Sequence, residues 1–238
     1  DLPKGIMPDW EPLISILGCS ELYNERHSEM TERRIVNFLI SDERNPDSIL
    51  SCLSIMRESA RTIREILPRK GWEIINSMYI NALDNKALSY ARKTRHDYLE
   101  QIMTELHRLT GLLAGSMNHD IAYDFLNLGR KLERADMTTR IIDVRSGKTI
   151  PEDVPGLKPF EDMIWMSMLK SLSGYQMYRQ SMQVRIRRKD VLIFLFCRTQ
   201  FPRSVSYCIE NMSYYFSDLP NTEVCQKHIK KIRKTLAK

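Results

Sequence analysis

Apolar residues recur along this chain at the spacing of an α-helix. Between positions 46 and 67 they follow one another at intervals of three or four residues, at Ile49, Leu53, Met56, Ala60, Ile63 and Leu67. The segment from Ile121 repeats the pattern, at Phe125, Leu128, Leu132, Ala135, Thr139 and Ile142. This spacing places one apolar stripe on a helix, and its burial contributes roughly 1.5–3 kcal/mol for each large aliphatic side chain. The pattern predicts two amphipathic helices that pack in a bundle.

Most of the remaining chain carries the same helical signal. Further helices are predicted at 9–17, which Gly18 ends, and at 31–40, 71–83, 86–113, 158–182, 190–198, 202–216 and 221–236. The 238 residues include only 9 glycines and 10 prolines, and this scarcity of breakers argues against a β architecture with many turns. The predicted fold class is all-α, a multi-helix bundle.

One stretch stands apart because it is rich in helix breakers. It covers 145–159 and contains Gly147, Pro151, Pro155, Gly156 and Pro159. We interpret it as a loop or linker between two sub-bundles, or as a crossing loop inside one domain. The chain then forms a single helical domain, 1–238, with a first sub-bundle at 1–144 and a second at 160–238.

A short pattern occurs once on each side of that stretch. The residues Phe38, Leu39, Pro46, Ser48, Ile49 and Cys52 recur 156 positions later as Phe194, Leu195, Pro202, Ser204, Val205 and Cys208. Each copy is interpreted as a short apolar helix, a turn, and a new helix with proline at its first position. Asn45 is the expected N-cap in the first copy. The repeat predicts an internal duplication with two pseudo-symmetric helical halves.

Charge and cysteine content narrow the class of protein. The formal net charge is +6, and cations gather in the C-terminal segment at Lys227, Lys230, Lys231, Arg233, Lys234 and Lys238. We interpret this segment as the solvated end of a helix, with a nucleic-acid contact as the disfavoured alternative. Five cysteines without a C-x-x-C pair fit a reducing cytosol. No apolar run approaches the length of a membrane span, so a soluble cytoplasmic protein is expected.

Two groups of charged residues could form a site. The first lies beside the second apolar stripe and contains Arg130, Glu133, Arg134 and Asp136, of which Asp136 is spaced to pair with Arg140. The second contains Arg57, Glu58 and Arg61. Both fit exposed ion pairs worth about 0.2–0.5 kcal/mol each, which is the favoured interpretation. The alternative is an interhelical site in which several guanidiniums bind a carboxylate or phosphate.

Motifs for catalysis or cofactor binding are absent from the sequence. There is no Glu-x-x-His pair of the kind that di-iron bundles use, no H-x-x-x-H, no G-x-S-x-G and no glycine-rich phosphate loop. The sequence therefore predicts no metal and no cofactor, and it favours a protein that is not an enzyme.

The run N-L-G-R-K-L-E-R-A-D-M-T-T-R, residues 127–140, resembles the signature of the bacterial alpha-E family, a helical family of unknown function with a Glu-Arg motif. Other segments are also similar to this family, at 42–49, 57–61, 169–175 and 201–205. Members usually begin with a helix that carries an earlier copy of the motif. This chain starts beyond that point, which we take as truncation or disorder of the first helix.

The resemblance implies an all-helical bacterial protein of the cytosol. In genomes the family accompanies circularly permuted ATP-grasp proteins and transglutaminase-like proteins, which suggests a part in forming or modifying peptide or amide bonds. The motif residues implied for this chain are Glu133 and Arg134, with Arg130 and Asp136 beside them.

Three hypotheses of function follow. The leading one is a non-catalytic helical partner of an ATP-grasp amide ligase. The second is an enzyme in which Glu133 acts as general base while arginines of the two groups hold a carboxylate or phosphate. The third is nucleic-acid binding through the basic C-terminal segment.

Overall fold

The computed structural model describes residues 10–146, 158–182, 185–217 and 219–236. Within these ranges all regular structure is helical, with twelve α-helices and one 3-10 helix. The chain divides into two compact units, Asp1–Asn118 and His119–Lys238. The stretch proposed from the sequence as a linker, 145–159, belongs to the second unit. Its ends are helical, and its residues 147–157 lie outside the described residues.

The first unit contains six of the α-helices. They are α1 Glu11–Ile16, α2 Ser20–Arg26, α3 Glu32–Ile40, α4 Ile49–Thr62, α5 Arg69–Asp84 and α6 Arg92–Ser116, and the 3-10 helix Lys86–Ser89 precedes α6. One part of the core joins α1, α2 and α3 around Tyr23 and Phe38. Another joins α3, α4, α5 and α6, where the buried Tyr98 hydroxyl donates to the Ala82 carbonyl at 2.9 Å.

Local signals in the sequence explain several helix ends of this unit. Thr31 caps α3, because its hydroxyl accepts from the Arg34 N–H at 3.4 Å. Gly18 follows α1 with a φ of 71°, a left-handed conformation that glycine adopts without a Cβ clash. The helix predicted at 86–113 is in fact a 3-10 helix followed by α6, and α2 was not predicted.

The second unit contains the other six α-helices. They are α7 Ile121–Ser146, α8 Lys158–Ser171, α9 Tyr175–Met182, α10 Arg188–Cys197, α11 Val205–Ser217 and α12 Glu223–Leu236. One core cluster forms around Leu169, Tyr178 and Phe194. A second contains Leu128 of α7 together with Ile209 of α11. None of the helices in the described ranges combines the length and the apolar character that a membrane span requires.

The single helix predicted at 158–182 is wrong, since α8 and α9 are separated by a turn. Ser173 has a φ of 52°, which ends the first helix, and Gly174 follows it. A Cβ on Gly174 would lie 2.9 Å from the Phe201 ring. The turn therefore depends on glycine for this close approach, and the Ser-Gly pair was the available sequence signal.

The two helices predicted to begin at proline begin three residues later. Their N-caps are Ser48 and Ser204, whose hydroxyls accept from the N–H groups of Ser51 at 3.2 Å and of Tyr207 at 3.1 Å. Asn45 is not a cap. Its side-chain amide is buried and donates to the Phe38 carbonyl at 2.9 Å, so it satisfies the end of α3 instead.

The apolar stripe predicted on α7 is buried only in part. Leu128, Ala135 and Ile142 are buried, but Phe125 is 61% and Leu132 is 59% exposed. The predicted and the observed buried faces differ because α7 packs against α11 through a neighbouring face. The buried positions of that face include polar residues.

Candidate functional site

The contact between α7 and α11 places polar and charged side chains at a helix interface. Thr138 of α7 is 1% exposed, and its hydroxyl donates to the carbonyl of Arg203 at 2.9 Å. Arg203 lies in the turn just before α11. The side of α7 one and two turns before Thr138, which carries Arg134 and Lys131, therefore faces this turn and the start of α11.

Four cationic side chains meet in this region, and we call them the cation cluster: Arg130, Lys131, Arg134 and Arg203. Arg134 donates through Nη1 to the Pro202 carbonyl at 3.4 Å. The Lys131 ammonium lies 4.7 Å from the centroid of the Tyr207 ring, within the range of a cation–π contact. All four side chains are partly buried.

The cluster is electrostatically strained. Burial lowers the pKa of Arg130, Lys131 and Arg203, and in each case the nearby Arg134 lowers the pKa further. No carboxylate contributes to these shifts, and no ion pair in the described part of the chain joins any of the four cations to an acid. Arginine stays charged under all ordinary conditions, so the region carries positive charge that no described side chain offsets.

The thiol of Cys208 lies beneath the cluster and is fully buried. Burial raises its pKa, although Arg134 and Lys131 act in the opposite direction. The Sγ atom contacts the Pro202 carbonyl at 3.7 Å. A buried thiol of raised pKa is a poor nucleophile, and this thiol, in the first turn of α11, packs against the turn that precedes the helix.

The residues predicted from the sequence separate into two sets. Arg130 and Arg134 belong to the cation cluster. Glu133 is exposed, and its carboxylate forms no hydrogen bond or ion pair with another residue of the described ranges. Asp136 forms the predicted ion pair with Arg140, at 2.7 Å, on the exposed side of α7. The structure thus gathers the cations of the motif without its carboxylates.

Two members of the cluster were missed by sequence reasoning. Lys131 was not among the candidate residues, although it lies one turn before the buried Ala135. Arg203 directly follows Pro202 in the repeated turn, which was a usable signal for a position close to another helix.

The second predicted group is an ion-pair arrangement in the first unit. Glu58 accepts from Arg61 at 2.8 Å and from Arg57 at 3.2 Å. Arg57 also donates to the Asn76 side chain at 2.7 Å and lies 5.4 Å from the centroid of the Tyr79 ring. Each of these arginines therefore already has a partner.

The basic C-terminal segment forms α12, with Lys238 outside the described residues. Ile229 packs this helix into the core, and Arg233 forms a bidentate ion pair with Glu210 of α11. The lysines at 227, 230, 231 and 234 are exposed. Among the described residues there is no group of three histidine, cysteine or acidic side chains that could hold a metal ion.

Comparison with known proteins identifies one family. A family model described as a predicted alpha-helical domain with a conserved ER motif, named Alpha-E, matches residues 3–238. No curated protein and no solved structure matches the chain. The matched segment contains the Glu133-Arg134 pair, and the helical architecture agrees with the description. Arg134 of this pair belongs to the cation cluster. Because the match covers nearly all of the sequence, this helical chain is a member of the Alpha-E family.

Proposed function

We propose that the chain is a helical binding subunit without a reaction of its own, which works with an ATP-grasp amide ligase or a transglutaminase-like protein in forming or modifying amide bonds. The family resemblance implies that the chain is encoded near ATP-grasp and transglutaminase-like proteins, and this gene neighbourhood supports the choice of partner. The cation cluster supports the chemistry, since ATP-driven amide formation involves a carboxylate and a phosphate, and guanidinium groups bind both.

The observation that carries the proposal is the set of four partly buried cations without an acidic partner among the described residues. Like charges that are partly removed from water raise the free energy of the folded state. A bound carboxylate or phosphate would relieve this repulsion through charge-assisted hydrogen bonds. The cluster is therefore suited to recognise an acidic group on a peptide or on a partner.

Exposed apolar residues on another face of α7 support a protein partner. Ile121, Phe125 and Leu132 are 56%, 61% and 59% exposed, and their spacing places them in one line along the helix. Gly129 lies in the same line, and a Cβ there would meet nothing within 4 Å. Exposed apolar residues in a row on a helix are typical anchors for a partner protein.

Affinity purification of the intact protein from its native cell, with mass spectrometry of what co-elutes, tests this proposal. We expect an ATP-grasp or transglutaminase-like protein to be recovered, and to be lost from Phe125→Ser and Leu132→Ser proteins. Ile80→Ser is the matched control, since Ile80 is also exposed but lies on α5. Recovery of neither kind of protein from the unsubstituted chain, over a range of salt concentrations, would contradict the proposal.

The two other hypotheses have less support. A general base at Glu133 would act from an exposed position that shares no hydrogen bond or ion pair with the described cations. Nucleic-acid binding through α12 would rely on exposed lysines, while Arg233 is already paired with Glu210. A bacterial, cytoplasmic location remains part of the proposal, supported by the family resemblance and the cysteine pattern.

The internal duplication belongs to the same proposal. The two turns repeat the same contacts: the Ser48 and Ser204 N–H groups donate to the carbonyls of Asn45 and Phe201 at 3.1 and 2.9 Å. The thiols of Cys52 and Cys208 both approach the proline carbonyl of their turn at 3.7 Å. These shared contacts support descent of both turns from one helix–turn–helix unit.

A further inference from the structure

The first unit contains an open cleft of about 890 Å³ beside α3. The residues that line it carry polar or charged groups and include His27, Glu32, Arg33, Asn37, Tyr90 and Arg92. Cavities of roughly 300–1,000 Å³ are the usual size of small-molecule sites. The cleft shares no residue with the cation cluster, so its chemistry is separate from the proposed function.

One wall of the cleft is fixed by a charged network. Glu32 of α3 accepts from Arg92 Nε through both carboxylate oxygens, at 2.8 and 2.9 Å, and from Arg95 Nη1 at 3.0 Å. The hydrogen bonds from Arg92 are the main cause that lowers the pKa of Glu32 to about 2. The carboxylate is therefore deprotonated, and Arg92 and Arg95 balance its negative charge. These contacts link α3 to α6.

Two lining residues of the cleft, Asn37 and Tyr90, form a hydrogen-bonded group with Ser41. Asn37 Oδ1 accepts from the hydroxyls of Ser41 and Tyr90, both at 3.0 Å, and these hydroxyls are 3.0 Å from each other. Asn37 Nδ2 has no hydrogen-bond partner among the described residues. A preorganised amide thus presents a donor at the cleft.

The other end is formed by His27, the residue that follows α2. Its ring packs against Tyr23 and Phe38, with centroids 4.8 and 6.1 Å apart, which fixes its orientation. Nε2 is buried and has no hydrogen-bond partner in the described part of the chain. This nitrogen has almost no accessible surface, so a ligand in the open cleft does not reach it, and His27 forms part of the wall without donating to or accepting from the ligand.

Positive charge dominates the lining. The lining contains three arginines, Arg33, Arg34 and Arg92, and one carboxylate, that of Glu32. Arg34 makes an exposed ion pair with Glu29 at 3.2 Å. Arg33 has no ion pair to any residue of the described ranges. It is thus the guanidinium available for an incoming anion, one helical turn before Asn37 on α3.

From the cleft, its charge and the donors of Arg33 and Asn37, we propose that the first unit binds a small organic anion. Arg33 pairs with the phosphate or carboxylate of the ligand, and Asn37 Nδ2 hydrogen-bonds to one of its oxygen atoms. Both kinds of ligand carry a compact anionic group and further oxygen atoms that form hydrogen bonds. Phosphate and carboxylate ligands are distinguished by separate probes.

The full chain is titrated with inorganic phosphate and, separately, with succinate. The readout is the Cε1–H resonance of His27, assigned by its disappearance in a His27→Gln protein. We expect a saturable shift with at least one probe below about 20 mM. Arg33→Gln should weaken binding about tenfold, because it removes one charge-assisted contact. Arg69→Gln is the matched control, since Arg69 is an exposed arginine of the same unit that pairs with Glu73 away from the cleft.

Arg134→Gln removes a cation of the second unit and should leave the His27 titration unchanged. A shift with phosphate alone assigns a phosphate ligand, and a shift with succinate alone assigns a carboxylate. The inference is overturned if neither probe shifts the resonance, or if Arg69→Gln weakens binding as much as Arg33→Gln, which would indicate non-specific ion binding.

Discussion

The two charged groups of this chain look alike in sequence and differ in structure. In the first unit, Glu58 lies between Arg57 and Arg61 and pairs with both. In the second unit, Arg130 and Arg134 flank Glu133 at similar spacing, but the glutamate is exposed, and the arginines lie among partly buried cations. The decisive difference is the neighbouring helix, because α11 covers the basic side of α7 and leaves its acidic side in solvent.

The comparison teaches that charge spacing along a helix does not identify a site. An arginine that has a carboxylate partner on its own helix is already neutralised, so it has little to offer a ligand. An arginine that is turned toward another helix, away from its own acidic neighbour, retains binding capacity at a cost in stability. The proposed difference in anion binding between the cation cluster and the Arg57 group therefore rests on their difference in packing.

The largest expected effect is a difference in anion affinity between the cation cluster and the Arg57 group. The double substitution Arg130→Gln and Arg134→Gln should weaken binding of inorganic phosphate about 100-fold, since it removes two charged donors. Isothermal titration calorimetry is done in an Arg33→Gln background, which weakens phosphate binding in the cleft of the first unit about tenfold and so separates it from this measurement. The control is Arg57→Gln with Arg61→Gln, which should leave phosphate affinity unchanged. Equal losses in both double variants would refute the distinction.

The next effect tests whether packing builds the cluster. Thr138→Val keeps the shape of the side chain but leaves the Arg203 carbonyl without its hydrogen bond, so the free energy of unfolding should fall by about 1–3 kcal/mol. Urea denaturation measures this change. Phosphate affinity should fall as well, because the turn that holds Arg203 loses its link to α7. The control is Thr62→Val, since Thr62 is exposed at the end of α4. Unchanged stability and affinity would show that the turn is held by other contacts.

Much of the fold could be predicted from local pattern. Thr31 before α3 and Gly18 after α1 act through their immediate neighbours, so their roles are readable in the sequence. The errors arose where a distant contact decides the outcome. Asn45 has the chemistry of a cap, but the Phe38 carbonyl binds its side chain.

The candidate site was half predictable for the same reason. Arg130 and Arg134 were found through the motif, whereas Lys131 and Arg203 enter only because α11 packs beside α7. The exposure of Leu132 has the same origin, since helical periodicity fixes which residues share a face but not which face meets the neighbouring helix.

A smaller effect is expected in the first unit. Glu58→Gln removes the shared partner of Arg57 and Arg61 on a solvated helix surface, which should lower the free energy of unfolding by about 0.5 kcal/mol. Denaturation at low and high salt provides the check, because added salt should remove most of the difference. In the second unit Glu133→Gln should cost no stability, since no ion pair to a described residue is lost. A larger loss for Glu133→Gln than for Glu58→Gln would reverse the comparison.

The smallest effect concerns pH and Lys131. Burial lowers the pKa of this ammonium in the folded chain, so at alkaline pH the unfolded chain binds the proton more strongly than the folded one does. Between the lowered pKa and the ordinary value of 10.5, this residue therefore makes the free energy of unfolding rise with pH. Over the same range, Lys131 loses its charge, which weakens anion binding. Denaturation and phosphate titration across the alkaline range measure both trends, and comparison with Lys131→Met isolates the contribution of this lysine from those of tyrosines and cysteines.

Lys70, which pairs with Glu73 on the surface of α5, is the matched control, and Lys70→Met should change neither trend. If the Lys131→Met protein keeps the same pH dependence of stability and of phosphate affinity, the cluster does not hold its lysine in the strained state that sets it apart from the Arg57 group.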